Sequence, residues 1–483
     1  MNRICILSHK IFKIELENPQ DLEELKAYLS FKLAGVEYSP AFKAGWNGMT
    51  CLVNSKNQIL LGLLPRVKRW LAERQLSYEE NTLISPSEKL APRDLSARLK
   101  QLKLQPRPYQ QDIVDAMERS QKGIIRACTG AGKTLAAAMM IAKLNRPANL
   151  LVISLDLLEQ FHQFFSEVFQ EPIGYIGNGI CKIERINVIS IWSLARAFDV
   201  KDVIADEEVS SNEKELAESD REKILKCLET TKVFLLDECH VASTNTIKAI
   251  HKAIDPEFIY GLSGTPFRED NSDLLIEGFL SEVLIDIPAS QLISQGYLVQ
   301  PLIKFVPVPS KKLSGTYQEI YQQYIVEHDF RNNLILQETL ELVKKGYKVL
   351  VLFRQIKHGE ILEEKFSEAG LKFGYLSGRD KLSEREIVKK QFTDGKINVI
   401  LASTIFDIGL NLPSASGLVL AGGGKSRLTA TQRIGRILRT APGKPYAAVI
   451  DFYDQVKYLK KHSQRRHEIY SAEPGFRVSK LKK

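Results

Sequence analysis

Several things are scarce or missing in this sequence, and each absence excludes something. No apolar run is long enough to cross a bilayer, so a membrane-spanning role is not expected. The opening Met1–Leu7 is too short an apolar stretch for a secretory signal. Cysteine is sparse, six in 483 residues, with no CxxC and no metal-ligand spacing. Neither a disulfide framework nor a structural zinc site is expected, and the setting is read as reducing and cytoplasmic. Low-complexity tracts are absent, and nothing resembles a base-reading recognition helix. Negative charge is the minority: 58 Asp and Glu against 67 Lys and Arg leave a net charge of +9, which suits a polyanionic partner without proving one. The excess is greatest near the end, where Lys457, Lys460, Lys461, Arg465, Arg466, Arg477, Lys480, Lys482 and Lys483 face only Glu468 and Glu473. Residues 457–470 are a candidate phosphate-contacting element, and the last few residues a solvated tail.

Two short motifs carry chemistry. The first is Ala127-Cys128-Thr129-Gly130-Ala131-Gly132-Lys133-Thr134, between a strand-like lead-in, Lys122–Arg126, and the helical run Leu135–Ala142. Backbone N–H groups of such a turn can wrap a phosphate, the helix N-terminus adds its dipole, and Lys133 adds a point charge. Thr134 supplies a hydroxyl for Mg²⁺. Ala127 stands where the strict pattern has glycine. The second motif is Asp237-Glu238-Cys239-His240, at the end of the buried run Val233–Leu236. It offers Asp237 to the metal and Glu238 to an attacking water. Together they predict a nucleotide hydrolase, with ATP and Mg²⁺ as cofactors.

At this length the chain can hold two or three domains. Residues 1–85 read as a small α+β module: strands at Ile4–Leu7 and Ile11–Leu16, then a helix capped by Asn18 with Pro19 first. A strand over Phe31–Tyr38 and a second helix near Leu64–Gln75, rich in Arg66, Lys68, Arg69 and Arg74, follow. Residues 86–106 are a Pro- and Lys-rich linker, 107–287 a first α/β lobe, 288–470 a second and 471–483 a basic tail. The charge-dense stretch 201–227 reads as a solvated helical insertion. Only the first lobe carries a phosphate loop, so nucleotide is expected in a cleft completed by the second.

Further motifs resemble those of superfamily 2 helicases, in the same order. Arg107-Pro108-Tyr109-Gln110 is similar to the segment whose glutamine reads adenine. Gly261-Leu262-Ser263-Gly264-Thr265-Pro266 resembles motif III, with Gly264 where alanine is usual; the resemblance makes Ser263, Gly264 and Thr265 a coupling element. Ala402-Ser403-Thr404 through Gly409-Leu410-Asn411 resembles motif V, implying that Ser403 touches the tracked strand while Gly409 and Asn411 border the nucleotide. Gln432-Arg433-Ile434-Gly435-Arg436-Ile437-Leu438-Arg439 is the strongest match in the second lobe. On one helix Gln432, Arg436 and Arg439 would share a face and present two arginine fingers, a device worth about 10³–10⁵ in rate in GTPases. Hydrolysis then requires lobe closure. Weaker matches place Ser190 and Ser377 on nucleic acid, leave Trp192 between base stacking and core packing, and make Ile176–Gly179 either a phosphate nest or a plain turn.

Phe42-Lys43 followed by Gly45-Trp46-Asn47-Gly48, then Gly62-Leu63-Leu64, resembles the small N-terminal domain of phage UvsW-type branch-migration helicases, although Asn47 replaces their common aspartate. The resemblance spans nearly the whole chain. It implies two tandem RecA-like parallel-sheet lobes (class α/β) beside an N-terminal α+β domain that binds DNA. It also implies a 3′-to-5′ motor on duplex or branched DNA, acting on Holliday junctions, forks, D-loops and R-loops in an infected host's cytoplasm. A monomer is expected, with replication or recombination proteins as candidate partners. Two alternatives stay open: an RNA helicase, since Asp237–His240 is one residue from the DEAD tetrad, and a DNA clamp without unwinding.

Overall fold

The computed structural model describes residues 1–32, 36–38, 42, 44–85, 88–200, 216–267, 272–378, 380, 382–403, 412–424 and 427–481. It divides into two compact units. One holds the described residues up to Asp286 except Cys128–Ala131, which group with the second, Ile287 onward.

The first unit begins with a four-stranded sheet in the order β5-β2-β1-β6, from β1 (Asn2–Ile6), β2 (Ile11–Glu15), β5 (Gln58–Leu60) and β6 (Tyr78–Thr82). Between β2 and β5 lie helix α1 (Pro19–Tyr28) and a hairpin of β3 (Ser30–Lys32) and β4 (Met49–Cys51). Asn18 caps α1, accepting from the Gln20 N–H with Pro19 at the first turn, so this helix starts where its cap dictates. Of the strand expected over Phe31–Tyr38, Phe31 and Lys32 lie in β3 and Val36–Tyr38 form a 3₁₀ turn, while 33–35 lie outside the described residues. At the start of β4 the chain makes an Asx turn, with Asn47 Oδ1 accepting the Met49 N–H at 2.9 Å. Helix α2 (Leu64–Glu73) closes this layer, burying Val67, Trp70 and Leu71 against Ile4, Phe12 and Leu63.

The basic face of α2 is already occupied. Arg66 bridges Glu277, Lys68 pairs with Glu80, Arg69 with Glu282, and Arg74 lies over Trp70 with Glu24 at 3.5 Å. Glu277 lies in the helix Asp273–Leu280 and Glu282 just past its end, so part of the charge that reads as phosphate-seeking fastens the module down.

An eight-stranded sheet follows, in the order β10-β9-β11-β8-β12-β13-β7-β14. Its members are β7 (Lys122–Ala127), β8 (Ala148–Val152), β9 (Gly174–Gly177), β10 (Ile180–Lys182), β11 (Ile186–Ser190), β12 (Val233–Asp237), β13 (Phe258–Ser263) and β14 (Val283–Ile287). The central strands are parallel and buried along their whole length, as continuous Val/Ile/Leu runs require. The helices that matter here are α3 (Pro108–Arg119), α4 (Lys133–Leu144), α5 (Leu155–Phe169), α6 (Ile191–Ala197), α7 (Asp220–Glu229), α8 (Asn245–Ala253) and α9 (Asp273–Leu280). The end of the expected insertion is helical in α7, while 201–215 lie outside the described residues. Asn178-Gly179, both left-handed, make the turn of the antiparallel β9–β10 hairpin.

The N-terminal sheet is joined to α9 by a glycine contact. A Cβ on Gly62 would lie 2.2 Å from the Glu277 carbonyl and 2.6 Å from that of Gly278, and one on Gly278 would lie 2.8 Å from Leu60. Backbone meets backbone there, and the Arg66–Glu277 pair seals the edge at 2.7 Å.

In the second unit seven parallel strands run β17-β18-β16-β19-β20-β15-β21 among the described residues. They are β15 (Gln300–Val308), β16 (Val349–Phe353), β17 (Phe373–Leu376), β18 (Val399–Ser403), β19 (Gly417–Leu420), β20 (Tyr446–Asp454) and β21 (Arg477–Val478). The intervening helices are α10 (Tyr317–Tyr321), α11 (Asp329–Lys344), α12 (Ile356–Glu368), α13 (Leu382–Thr393), α14 (Arg427–Arg436) and α15 (Leu459–Ser471). Within the basic tail read over 471–483, Arg477-Val478 add an edge strand to β15 and Ser479 N–H donates to the Ile303 carbonyl, while 482–483 lie outside the described residues. Arg466, counted among the surface cations, is buried and paired with Asp451.

Gly62→Ala is expected to destabilise the joint by about 1–3 kcal/mol, the usual cost of overpacking a tight contact. Limited proteolysis between the N-terminal sheet and Pro108 should accelerate; wild-type resistance would show that the close approach is dispensable.

Candidate active site

Sheet order assembles the first half of the site. Strand β13 lies between β12 and β7, with Asp237 opposite Leu262 and Ser263 opposite Arg126. Three parallel strands therefore finish nearly level, and ligands of such sheets gather at carboxyl ends.

Beyond β7 the chain turns through Gly130 (φ 90°) and Gly132 (φ 74°), left-handed conformations that favour glycine. Gly132 caps α4, whose first residues are Lys133 and Thr134. Lys133 Nζ donates to the Ala127 carbonyl at 3.2 Å, folding the ammonium back over the loop. Gln110, expected to read adenine, is buried and contacts this loop: its amide nitrogen donates to the Gly132 carbonyl at 3.2 Å while Oε1 accepts the Arg107 N–H. A Cβ on Gly132 would meet that amide at 2.3 Å. Thr129, Gly130 and Ala131 continue the same loop, and Ala131 N–H donates to the Cys128 carbonyl at 3.1 Å.

At the end of β12, Asp237 is buried and Glu238 turns into a left-handed conformation (φ 51°), unusual for a glutamate and typical of strained functional positions. Glu238 accepts from Ser263 Oγ at 3.0 Å, and His240 Nδ1 lies 3.5 Å away. Ser263 Oγ in turn accepts the Thr265 N–H at 3.1 Å. Burial would raise the Glu238 carboxyl, but the His240 contact, the Lys133 charge and Ser263 hold it down, to about 2. Burial and the Glu238 charge raise Asp237 above the usual carboxylate range. The two adjacent carboxyls are thus pushed in opposite directions.

A buried, charge-starved Asp237 on the sheet that also leads into Thr134 is suited to a hard divalent cation. Among the described residues no cluster of three or more His, Cys, Asp or Glu could hold a metal. The oxygen donors Asp237, at the end of β12, and Thr134, on the first turn of α4, are of the kind that fits Mg²⁺, which keeps waters and takes few protein ligands.

The second unit departs from expectation in one respect. Helix α14 ends at Arg436, so Arg439 does not share a helical face with Gln432 and Arg436. Instead it bridges to Leu298, while the Val299 N–H donates to the Leu438 carbonyl at 2.8 Å. The chain unwinds because Ile437 and Leu438 close i−3 bonds and then turn into that pairing. Burial lowers the Arg439 guanidinium from its ordinary value.

The serines assigned to nucleic acid lie largely inside. Ser190 is wholly buried and its hydroxyl caps α6, accepting the Trp192 N–H at 3.2 Å. Trp192 is half-buried, and its ring N–H donates to the Ile153 carbonyl at 3.3 Å. Ser377 is 5 % exposed and its N–H donates to Asp380. Ser403 ends β18 at 2 % exposure, and its Oγ has no hydrogen-bond partner among the described residues. Gly409 and Asn411 lie outside the described residues. Sequence reasoning does not join Ser263, Glu238 and His240 into one unit; two residues of one tetrad and a serine 25 positions beyond Glu238 are the only signal for it.

Residues 103–268 match the family described as type III restriction enzyme, res subunit, and residues 331–441 the helicase conserved C-terminal domain. The putative helicase 22 of a Sulfolobus islandicus filamentous virus is 27% identical over 72% of this chain, which spans 63% of that relative. The ATP-dependent DNA helicase uvsW of Enterobacteria phage T4 is 25% identical over 93% of each chain. The DNA 3′-5′ translocase XPB2 of Sulfurisphaera tokodaii is 22% identical over 77% of this chain and 85% of its own. In fold, the chain is similar to Saccharomyces cerevisiae Dbp5 bound to RNA and ADP BeF3, with a TM-score of 0.54 and 16% identity over 81% of this chain and 94% of that one.

Ser263→Ala should lower kcat for nucleotide hydrolysis about tenfold, the scale of one hydrogen bond to a charged group. That bond favours the ionised Glu238, so its loss raises the Glu238 pKa and the acid limb of the pH–rate profile moves upward. An unchanged rate and profile would remove Ser263 from the site.

Proposed function

Because this chain is a superfamily 2 helicase, an ATP-driven motor, we propose that it moves 3′-to-5′ on DNA and remodels branched structures: Holliday junctions, forks, D-loops and R-loops. The observation that carries this reading is the 93% coverage of both chains with the phage DNA helicase, which extends through the N-terminal module as well as the motor. Direction rests on the translocase relative.

In this proposal the loop from Thr129 to Gly132 wraps the ATP phosphates, Lys133 neutralises them, and Thr134 with Asp237 holds Mg²⁺, which supplies electrostatic stabilisation when bound. Glu238, kept ionised, orients and deprotonates the attacking water. Gln110 links the nucleotide to the loop through Gly132. Gln432, Arg436 and Arg439 act on the γ-phosphate when the lobes close, and Gly409 and Asn411 border it. Ser263, Gly264 and Thr265 relay the state of Glu238, since the Ser263 hydroxyl touches both that carboxylate and the Thr265 backbone.

DNA contacts would come from phosphate-seeking surface charge, which gives affinity without sequence preference. Support lies on α15, where Lys460, Lys461 and Arg465 are exposed beside Lys457, and on the N-terminal hairpin, where Trp46 is 38% exposed near Lys32. Ser403 and Ser377 remain candidates through their strand-end position. A monomer suffices, since one chain supplies all these groups, and the cytoplasm of an infected cell is the proposed setting. No described helix is long and apolar enough to cross a membrane.

The deciding experiment is ATP hydrolysis titrated with a four-way junction, forked DNA, linear duplex, single-stranded DNA and RNA at one salt concentration. Branched DNA should stimulate most, and Lys133→Ala, Glu238→Gln and Arg436→Ala should each abolish stimulation while DNA binding persists. Stimulation by RNA alone would replace DNA with RNA as the track, and binding without stimulation would indicate a clamp.

A further inference from the structure

Four consecutive backbone carbonyls in the second unit each accept a hydrogen bond from a different buried side chain. Arg331 Nη1 donates to Ala421 O at 2.7 Å, Tyr321 Oη to Gly422 O at 2.7 Å, Arg433 Nη1 to Gly423 O at 3.1 Å, and Arg466 Nη1 to Gly424 O at 2.5 Å. The four donors come from α11, α10, α14 and α15, so four helices converge on one loop. All four side chains are nearly or wholly inaccessible to solvent.

The glycines make this row of acceptors possible. Gly423 (φ 64°) and Gly424 (φ 120°) are left-handed, which turns their carbonyls toward the donors. A Cβ on Gly422 would lie 2.9 Å from the Arg354 backbone nitrogen. Charge is compensated from below by β20: Arg331 pairs with Asp454 at 2.8 Å and Arg466 with Asp451 at 2.8 Å. Buried guanidinium groups are costly unless paired and hydrogen-bonded, and here the paired ones have both forms of support.

The loop runs from β19 toward α14, the helix that ends in Arg436. Arg433 lies on that same helix, three residues before Arg436, and its guanidinium ties the helix back to the carbonyl of Gly423. We propose that the carbonyl row at 421–424 is a positioning device: it fixes the rotation of α14 about its axis, and through it the direction in which Arg436 points. Tyr321, Arg331 and Arg466 are positioning residues for hydrolysis, none of them touching nucleotide. The proposal rests on the reading of Arg436 as a finger on the γ-phosphate. A helix carrying a finger needs its azimuth held to a fraction of a turn, because misplacement of a transition-state group by about 1 Å costs about a hundredfold in rate. A loop with four independent anchors supplies that constraint, whereas one hydrogen bond would allow rolling.

Tyr321→Phe tests this with little risk to folding, because it removes one hydroxyl and keeps the ring. Expected is a three- to tenfold loss of DNA-stimulated kcat, with KM for ATP within about twofold of wild type and a thermal midpoint only a few degrees lower, since the lost bond leaves the Gly422 carbonyl unsatisfied. Gly423→Ala, which strains the acceptor instead of the donor, should give the same pattern. The decisive comparison is with Arg436→Lys, in which residual hydrolysis no longer depends on a guanidinium's direction. In that background Tyr321→Phe should cost nothing further. An equal loss in both backgrounds, or a wild-type kcat in Tyr321→Phe and Gly423→Ala, overturns the proposal. Arg436→Ala, assayed alongside, separates the two levels: full hydrolysis there refutes the finger itself, before any question of its positioning.

Discussion

The hydrogen-bonded ladder that holds β13 between β12 and β7 is the constraint on which the first half of the site depends. Parallel pairing fixes register to the residue, so Asp237 at the end of β12 and Ser263 at the end of β13 arrive at one edge of the sheet together. Nothing local in either strand could achieve this. From that edge follow the Ser263 hydrogen bond, the depressed Glu238 and the raised Asp237, none of which requires a side chain to reach far. Local chain strain contributes as well, since Glu238 takes a left-handed conformation to face Ser263 while Asp237 stays in the strand.

Arginine serves two different purposes in the second unit. Arg331 and Arg466 are enclosed, each paired with an aspartate of β20 and each holding a carbonyl, while Arg465, one position from Arg466, is exposed on α15. Adjacent residues on a helix face point about 100° apart, which is enough to separate interior from solvent. Net charge and local charge counts treat the two arginines alike. Only burial distinguishes a structural cation from one available to phosphate.

Much of the architecture was legible in the sequence because its signals were local. The Asn18-Pro19 cap, the glycine turn before Lys133 and the buried run of β12 each belong to one short segment with one period. What escaped was tertiary. Arg439 leaves the helix because it pairs with Leu298, 141 residues earlier, and no periodicity reports that. Ser190 looks polar and contactable but caps a helix in the interior. The basic face of α2 looks like a phosphate surface until Glu277 and Glu282, two hundred residues on, are seen to occupy it. The terminal segment composes like a tail, yet a two-residue strand and the hydrogen bonds that Ser479 makes with Ile303, Phe305 and His467 dock it.

The glycine contact between Gly62 and α9 bears on how such a chain can diversify. A joint made by side chains can drift, one substitution compensating another, and modules linked that way can be exchanged. A joint in which the backbone of one element rests on the carbonyls of another has no side chain to adjust. Its two halves must therefore be inherited together. Any transplant of the N-terminal module onto another motor must carry the Asp273–Leu280 helix with it, including the glycine at 278 and the glutamate at 277.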